Sequence, residues 1–282
     1  MNVLSREEKL TVLRMLVEGN SLRSITRMTR IHRTTIMKLM VEVGGKCRNF
    51  LDLVMRNLTL THLECDEIWT FVRKKQRRLQ GTEKDNPKIG DQYLYVALDL
   101  QTKLIPSFVI GKRTSEVAEF FMDDLAKRLN LPELHHAEPK PQISTDGWSG
   151  YPNAVDEAFA NRADYGQIIK DFGPNGEQTG RYAPPDLLTT IRRVITGNIG
   201  KDSICTSHVE RHNLTIRTFM RRFTRLALGF SKKLENLVAC VCLYIAYYNF
   251  CWMHGSLPGT PAMEAGLAGH PWSLEELFDG LE

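Results

Sequence analysis

Three carboxylates, Asp66, Asp146 and Glu210, stand in segments whose patterning suits phosphodiester chemistry. Asp66 lies inside a run that reads as a strand, Asp146 ends a shorter one, and Glu210 opens a helical stretch. A carboxylate buried in such places is costly unless a cation shares it. Two divalent ions about 4 Å apart, clamped by such groups, activate a water or a 3′-hydroxyl and stabilise the leaving oxygen of an in-line displacement. Hard oxygen donors suit Mg2+, with Mn2+ as a substitute. The chain holds 33 Asp and Glu, so any single one is more simply a surface or capping group. The three count only jointly, and composition does not select them.

Glu210 is followed at steps of three or four by Asn213, Arg217, Arg221 and Arg225, which puts them on one face of a continuous helix running to about Arg225. Between Arg211 and Leu234 there are seven basic residues and no acidic one, a pattern suited to a salt-sensitive grip on a phosphate backbone. A second basic run, Arg73 to Arg78, reads equally as a DNA contact or a mobile hairpin tip. His208 and His212 flank Glu210 and face either a scissile phosphate or the helix surface. Glu67, next to Asp66, is assigned to the opposite strand face and not to the ligand set. Asp99, followed by Thr102, reads as a turn carboxylate ahead of a fourth metal ligand, and Trp69 and Trp148 read as packing residues.

The elements that must position these groups follow from periodicity. Ser5-Arg6-Glu7-Glu8 fits a capping box for a helix over 6–18, and Ser21 caps a short second helix. A third, from about Arg33, carries Ile36, Leu39, Met40 and Val43 and is expected to stop at Gly44-Gly45. Three helices in this order read as a helix-turn-helix whose last helix offers Arg33, Thr34, Thr35 and Lys38 to DNA; a plain three-helix bundle is the alternative. Ten Lys/Arg against four Glu in residues 1–50 favour the DNA reading. A helical linker is expected over 46–60, then three antiparallel strands (65–73, 92–100, 104–110), a helix over 115–130, a strand over 142–145, a helix over 151–161 and a short strand over 167–169. Residues 173–205 read as a loop-rich insertion with Pro174, Gly176, Gly180 and Pro184-Pro185; a helix over 231–254 and a tail with a capping box at Ser273 to Glu276 close the chain.

Composition is that of an ordinary globular chain, 42% apolar and 25% charged over 282 residues. The longest apolar stretch, Leu237 to Tyr248, falls short of the roughly 20 residues that cross a bilayer, and charged residues from Arg6 to Lys9 interrupt any signal-peptide core. The expected compartment is the cytoplasm, with no membrane partner. The six cysteines form no C-x2-C pair, so neither structural zinc nor a disulfide framework is expected.

Asp66-Glu67-Ile68-Trp69-Thr70-Phe71-Val72, Thr145-Asp146-Gly147-Trp148 and His208-Val209-Glu210-Arg211-His212-Asn213-Leu214-Thr215-Ile216-Arg217 together resemble the bacterial insertion-sequence transposases of the IS-one family. The resemblance continues through Phe223-Thr224-Arg225, Phe230-Ser231-Lys232-Lys233, Tyr248-Asn249-Phe250-Cys251 and Thr260-Pro261-Ala262-Met263. It implies an α/β fold, a ribonuclease-H-like catalytic domain over 61–254 with an insertion near 170–206, preceded by the all-α helix-turn-helix of residues 1–45 and followed by a tail over 255–282. It further implies Asp66, Asp146 and Glu210 as the metal-binding catalytic triad and a basic position beside DNA at Arg217. The partners implied are double-stranded element ends and target DNA, with a homodimer or larger synaptic complex at the bacterial nucleoid. Three departures stand out, the first being Trp252-Met253-His254, where a basic residue is expected after Cys251. The chain begins at the helix-turn-helix without the zinc-binding segment that many related systems carry, and Asp146 and Glu210 are 64 residues apart, more than in the shortest members. A transposase-derived regulator that binds without chemistry, and a metal-dependent nuclease that cuts without joining, are the competing readings.

Overall fold

The computed structural model describes residues 4–133, 139–173, 186–225 and 227–281. Helix α1 (Arg6–Val17) starts at Ser5, whose hydroxyl accepts from Glu8 N while the Glu8 carboxylate accepts from Ser5 N, the expected capping box. Ser21 caps α2 (Leu22–Thr29) through Ser24 N, and His32 Nδ1 accepts from Thr34 N at the start of α3 (Arg33–Val54). Helix α3 does not stop at Gly44-Gly45. It runs through both glycines because a long apolar helix near the end of the chain (Leu234–Phe250) crosses it there. A Cβ on Gly44 would lie 2.2 Å from the carbonyl oxygen of Ala239. Glycine here is a contact surface rather than a stop signal, and the expected linker is largely the second half of one 22-residue helix.

The sheet has six strands: β1 (His62–Val72), β2 (Gly90–Asp99), β3 (Phe108–Gly111), β4 (Gln142–Asp146), β5 (Asp164–Phe172) and β6 (Leu187–Thr196), in the order β3-β2-β1-β4-β5-β6. Strands β1, β2 and β3 pair antiparallel, β4 and β5 extend from β1 in parallel, and β6 returns antiparallel on β5. Helix α4 (Ser115–Arg128) links β3 to β4, and α5 (Tyr151–Phe159) makes the crossover that the parallel neighbours β4 and β5 require. Strand β6 overturns part of the loop-rich insertion. Its Thr189, Thr190, Ile191, Val194, Ile195 and Thr196 are β-branched, and pairing with β5 outweighs the turn-rich composition before it. Pro174, Gly176, Gly180 and Pro184-Pro185 lie outside the described residues.

Helix α6 (Ser207–Phe219) ends six residues before Arg225. Met220 is extended, the Thr224 hydroxyl donates to Arg217 O at 2.8 Å, and the Thr70 hydroxyl donates to Arg222 O at 2.6 Å. The chain then follows the edge of β1 that β4 leaves free, with a bridge between Val72 and Ser231. Arg221 and Arg225 therefore leave the helical face of Glu210, because backbone and side-chain groups of β1 compete successfully for that segment.

Helix α7 (Leu234–Phe250) lies against α3 and the sheet. Its Asn249 amide both accepts from Ile105 N and donates to Ile105 O, each at 3.0 Å. One apolar core runs from Leu13 and Ile36 through Val43 to Ile68, Leu94 and Ile245, joining the N-terminal helices to the sheet. The tail folds into α8 (Pro261–Glu264) and α9 (Leu274–Asp279), the latter under the expected Ser273 capping box, and α9 meets α1 through Arg6–Asp279 and Arg14–Glu275 ion pairs. No described helix is long and apolar enough to cross a membrane.

Candidate catalytic site

Strand β4 pairs with β1 in parallel up to Cys65↔Thr145, so its last residue, Asp146, falls beside Asp66 where the sheet opens. One carboxylate oxygen from each of Asp66, Glu67 and Asp146 lies within 4.8 Å of the others. The Asn213 amide of α6 donates to Asp66 Oδ2 at 2.7 Å. Trp148 N donates to Asp146 Oδ1 at 3.0 Å, and the Gln167 amide holds the carbonyls of Asp146 and Trp148, which fixes the turn after β4. Arg113 bridges the pair from outside. Its guanidinium is 3.1 Å from Glu67 and 3.4 Å from Asp146, and it stacks on the Trp148 ring at 4.7 Å.

Burial, and then the charge of Glu67, push the Asp66 carboxyl up to about 7; burial likewise pushes Glu67 up to about 7, with Tyr151 and Arg113 working against it. Tyr151 is close enough to hold Glu67 down, yet neither its hydroxyl nor Glu67 Oε1 completes a hydrogen bond. Two adjacent carboxyls short of partners, with an all-oxygen donor set at the mouth of a sheet, fit a hard divalent cation. Glu67 escaped the sequence reading because strict alternation puts it across the strand from Asp66. Where β4 stops, both side chains reach Asp146.

Glu210 is placed differently. It sits exposed on the first turn of α6, and its Oε1 is taken by Lys170 of β5 and by the Thr206 hydroxyl at 2.8 Å. It lies outside the three-carboxylate group, though its charge still raises the Asp66 carboxyl. Asn213, expected on a DNA-facing row, is buried against Asp66 with its own Oδ1 unpartnered. Arg217 is half-buried with Nε unpartnered; burial and then the Arg225 charge lower its pKa, opposed by Asp66. Arg211, Arg221 and Arg225 are exposed, as are Arg33, Thr34 and Lys38 at the start of α3, with Thr35 partly covered.

Glu64, two residues before Asp66, went unnoticed in the sequence. It is buried, and its carboxylate accepts from His208 N and Val209 N at 2.9 Å each and meets His208 Nδ1 at 2.8 Å, anchoring the N-terminus of α6. Glu64, Cys205 and His208 also form a second group with metal-ligand spacing, from residues too far apart in sequence to read as a motif. His212 faces the other way, packed on Tyr248 at 4.5 Å, and burial lowers its pKa to about 3. Asp99 is a turn carboxylate, accepting from Gln101 N, Thr102 N and the Thr102 hydroxyl.

Comparison with known proteins gives a remote structural likeness. No protein-family model matches the chain, and no curated protein does. Among solved structures, a piggyBac transposase synaptic complex with hairpin DNA aligns with all of this chain and 72% of its own, at 12% identity and a TM-score of 0.42. At that distance the functional reading has to rest on the geometry of the site.

Proposed function

We propose that the chain is a DNA transposase of the insertion-sequence type, using Asp66, Asp146 and Glu210 to hold two Mg2+ (or Mn2+) ions. The observation that carries this reading is the convergence of Asp66, Glu67 and Asp146 at the open end of two parallel strands, with Asp66 hydrogen-bonded from the same helix that bears Glu210. The strand order, with three antiparallel strands extended by two parallel ones, suits a ribonuclease-H-like catalytic unit. When bound, the metals supply the charge that activates a water or 3′-hydroxyl and stabilises the leaving oxygen.

The chain's own residues do the rest. Asn213 fixes the rotamer of Asp66, and the Gln167 clamp fixes the backbone that presents Asp146. Lys170 and the Thr206 hydroxyl hold the Glu210 carboxylate on the first turn of α6, and Arg113 balances Glu67. Arg211, Arg217, Arg221 and Arg225 flank the site as phosphate contacts. The N-terminal helices, with Arg33, Thr34, Thr35 and Lys38 exposed or partly so at the head of α3, act as the helix-turn-helix that reads the element ends in a dimeric or larger complex.

The test is cleavage and joining of labelled DNA carrying the element's ends, with Mg2+ or Mn2+, for wild type and Asp66→Asn. Joined products that vanish in the variant support the transposase. Cut products without joining shift the assignment to a nuclease, and binding with no cut product in either protein shifts it to a regulator.

A further inference from the structure

Beyond the acids, β1 turns an unusual surface outward. Glu67, Trp69 and Phe71 share one strand face by alternation, and only the first belongs to the acidic group. The Trp69 and Phe71 rings lie 5.8 Å apart, and Phe230, from the segment along the free edge of β1, stacks on Phe71 at 4.8 Å with an interplanar angle of 29°. All three rings are partly exposed, and none belongs to the apolar core or packs against it. The amine of Lys75 rides above the strip, 5.1 Å from Trp69 and 5.9 Å from Phe71. Lys75, Arg77 and Arg78 form no ion pair among the described residues, whereas Lys74 and Arg73 are engaged by Glu83. Ile68, Thr70 and Val72, on the opposite face of β1 by the same alternation, are buried.

We propose that Trp69, Phe71 and Phe230 form a stacking shelf for unpaired DNA bases, with Lys75, Arg77 and Arg78 gripping the adjoining phosphates. This rests on the DNA reading of the catalytic site and extends it: the strand entering the acids is unpaired over the shelf. The occupant follows from the chemistry. Flat π-faces accept any base, unpaired cations beside them want a polyanion, and the strip leads along a single strand to Glu67. A duplex keeps its bases stacked inside and offers the rings nothing.

The measurement is anisotropy of a labelled single strand of about 12 nucleotides and of a blunt duplex of that length, in EDTA so that no cutting occurs. Proteins compared are the wild type, the double variant Trp69→Leu/Phe71→Leu and Lys75→Gln, each first confirmed folded by its melting transition. The double variant is expected to weaken single-strand binding about tenfold or more while changing duplex binding by less than about twofold. Lys75→Gln, which leaves the rings in place, is expected to lose about threefold on the single strand alone. Unchanged single-strand affinity in both variants, or an equal loss on duplex by folded protein, overturns the shelf. Because metal is absent, the two readings fail separately. Selective strand binding without any cutting in Mg2+ keeps the shelf and removes the transposase, and cutting with no strand selectivity does the reverse.

Discussion

Strand β1 carries two kinds of buried acid a few residues apart. Glu64 is fully employed, with two backbone N–H groups and an imidazole from α6 around one carboxylate. Asp66 and Glu67 are left short: one hydrogen bond from Asn213 on the first, a guanidinium edge and an orphaned Oε1 on the second. The difference separates an anchor from a site. A buried charge whose lone pairs are satisfied by the fold has nothing to offer a ligand, and one that is not pays in free energy until a cation arrives.

That contrast can be broken most forcefully at the site. Asp66→Asn and Asp146→Asn should each lower metal-dependent cleavage on the order of 10³-fold or more, with the fold intact by circular dichroism. Glu67→Gln and Glu210→Gln, assayed side by side, decide which completes the ligand set: the triad reading expects the Glu210 variant to lose cleavage and the Glu67 variant to retain most of it. At the anchor the sign reverses. Glu64→Ala should cost about 2 to 3 kcal/mol of stability by leaving α6 donors unpaired, read from denaturant midpoints.

The titration of Asp66 sharpens the same comparison. Its carboxyl is raised from 3.8 to about 7 in the fold, so the stability linked to it is fully present below the lower value and lost as pH rises through the upper one. Asp66→Asn, which cannot ionise, should therefore melt higher than metal-free wild type at pH 8 and show a smaller advantage at pH 5. Metal competes with protons for the same oxygens, so Mg2+ or Mn2+ binding to wild type should weaken as pH falls below about 7. A smaller effect belongs to packing: Gly44→Ala should cost about 1 to 3 kcal/mol by pushing a methyl into the Ala239 backbone, with little change in metal affinity.

What the sequence revealed was local. The Ser5 and Ser273 capping boxes, the Ser21 cap and the strands carrying Asp66 and Asp146 are set by neighbours within a few residues, and so they were readable. What it hid depends on partners far along the chain. Gly44 looks like a stop until Ala239 is known to lie on it, Glu64 looks like any strand acid until α6 arrives, and Arg221 and Arg225 look helical until Thr70 of β1 is known to take the Arg222 carbonyl between them. Glu67 was hidden by a rule that holds inside a sheet and relaxes at its open end. Strand β6, mostly exposed and preceded by a proline- and glycine-rich stretch, lacks the apolar alternation that marks a half-buried strand.

The crossing of α3 and α7 also has a bearing on synthesis. Gly44 is seated against a residue that follows it by about 200 positions, and at roughly 5 to 20 residues per second a ribosome needs about 10 to 40 s to deliver it. Throughout that interval α3 has α1 and α2 against it but lacks the cover that α7 gives. The helix proposed to read DNA is finished early, and it gains its long partner only once Leu234–Phe250 has been made.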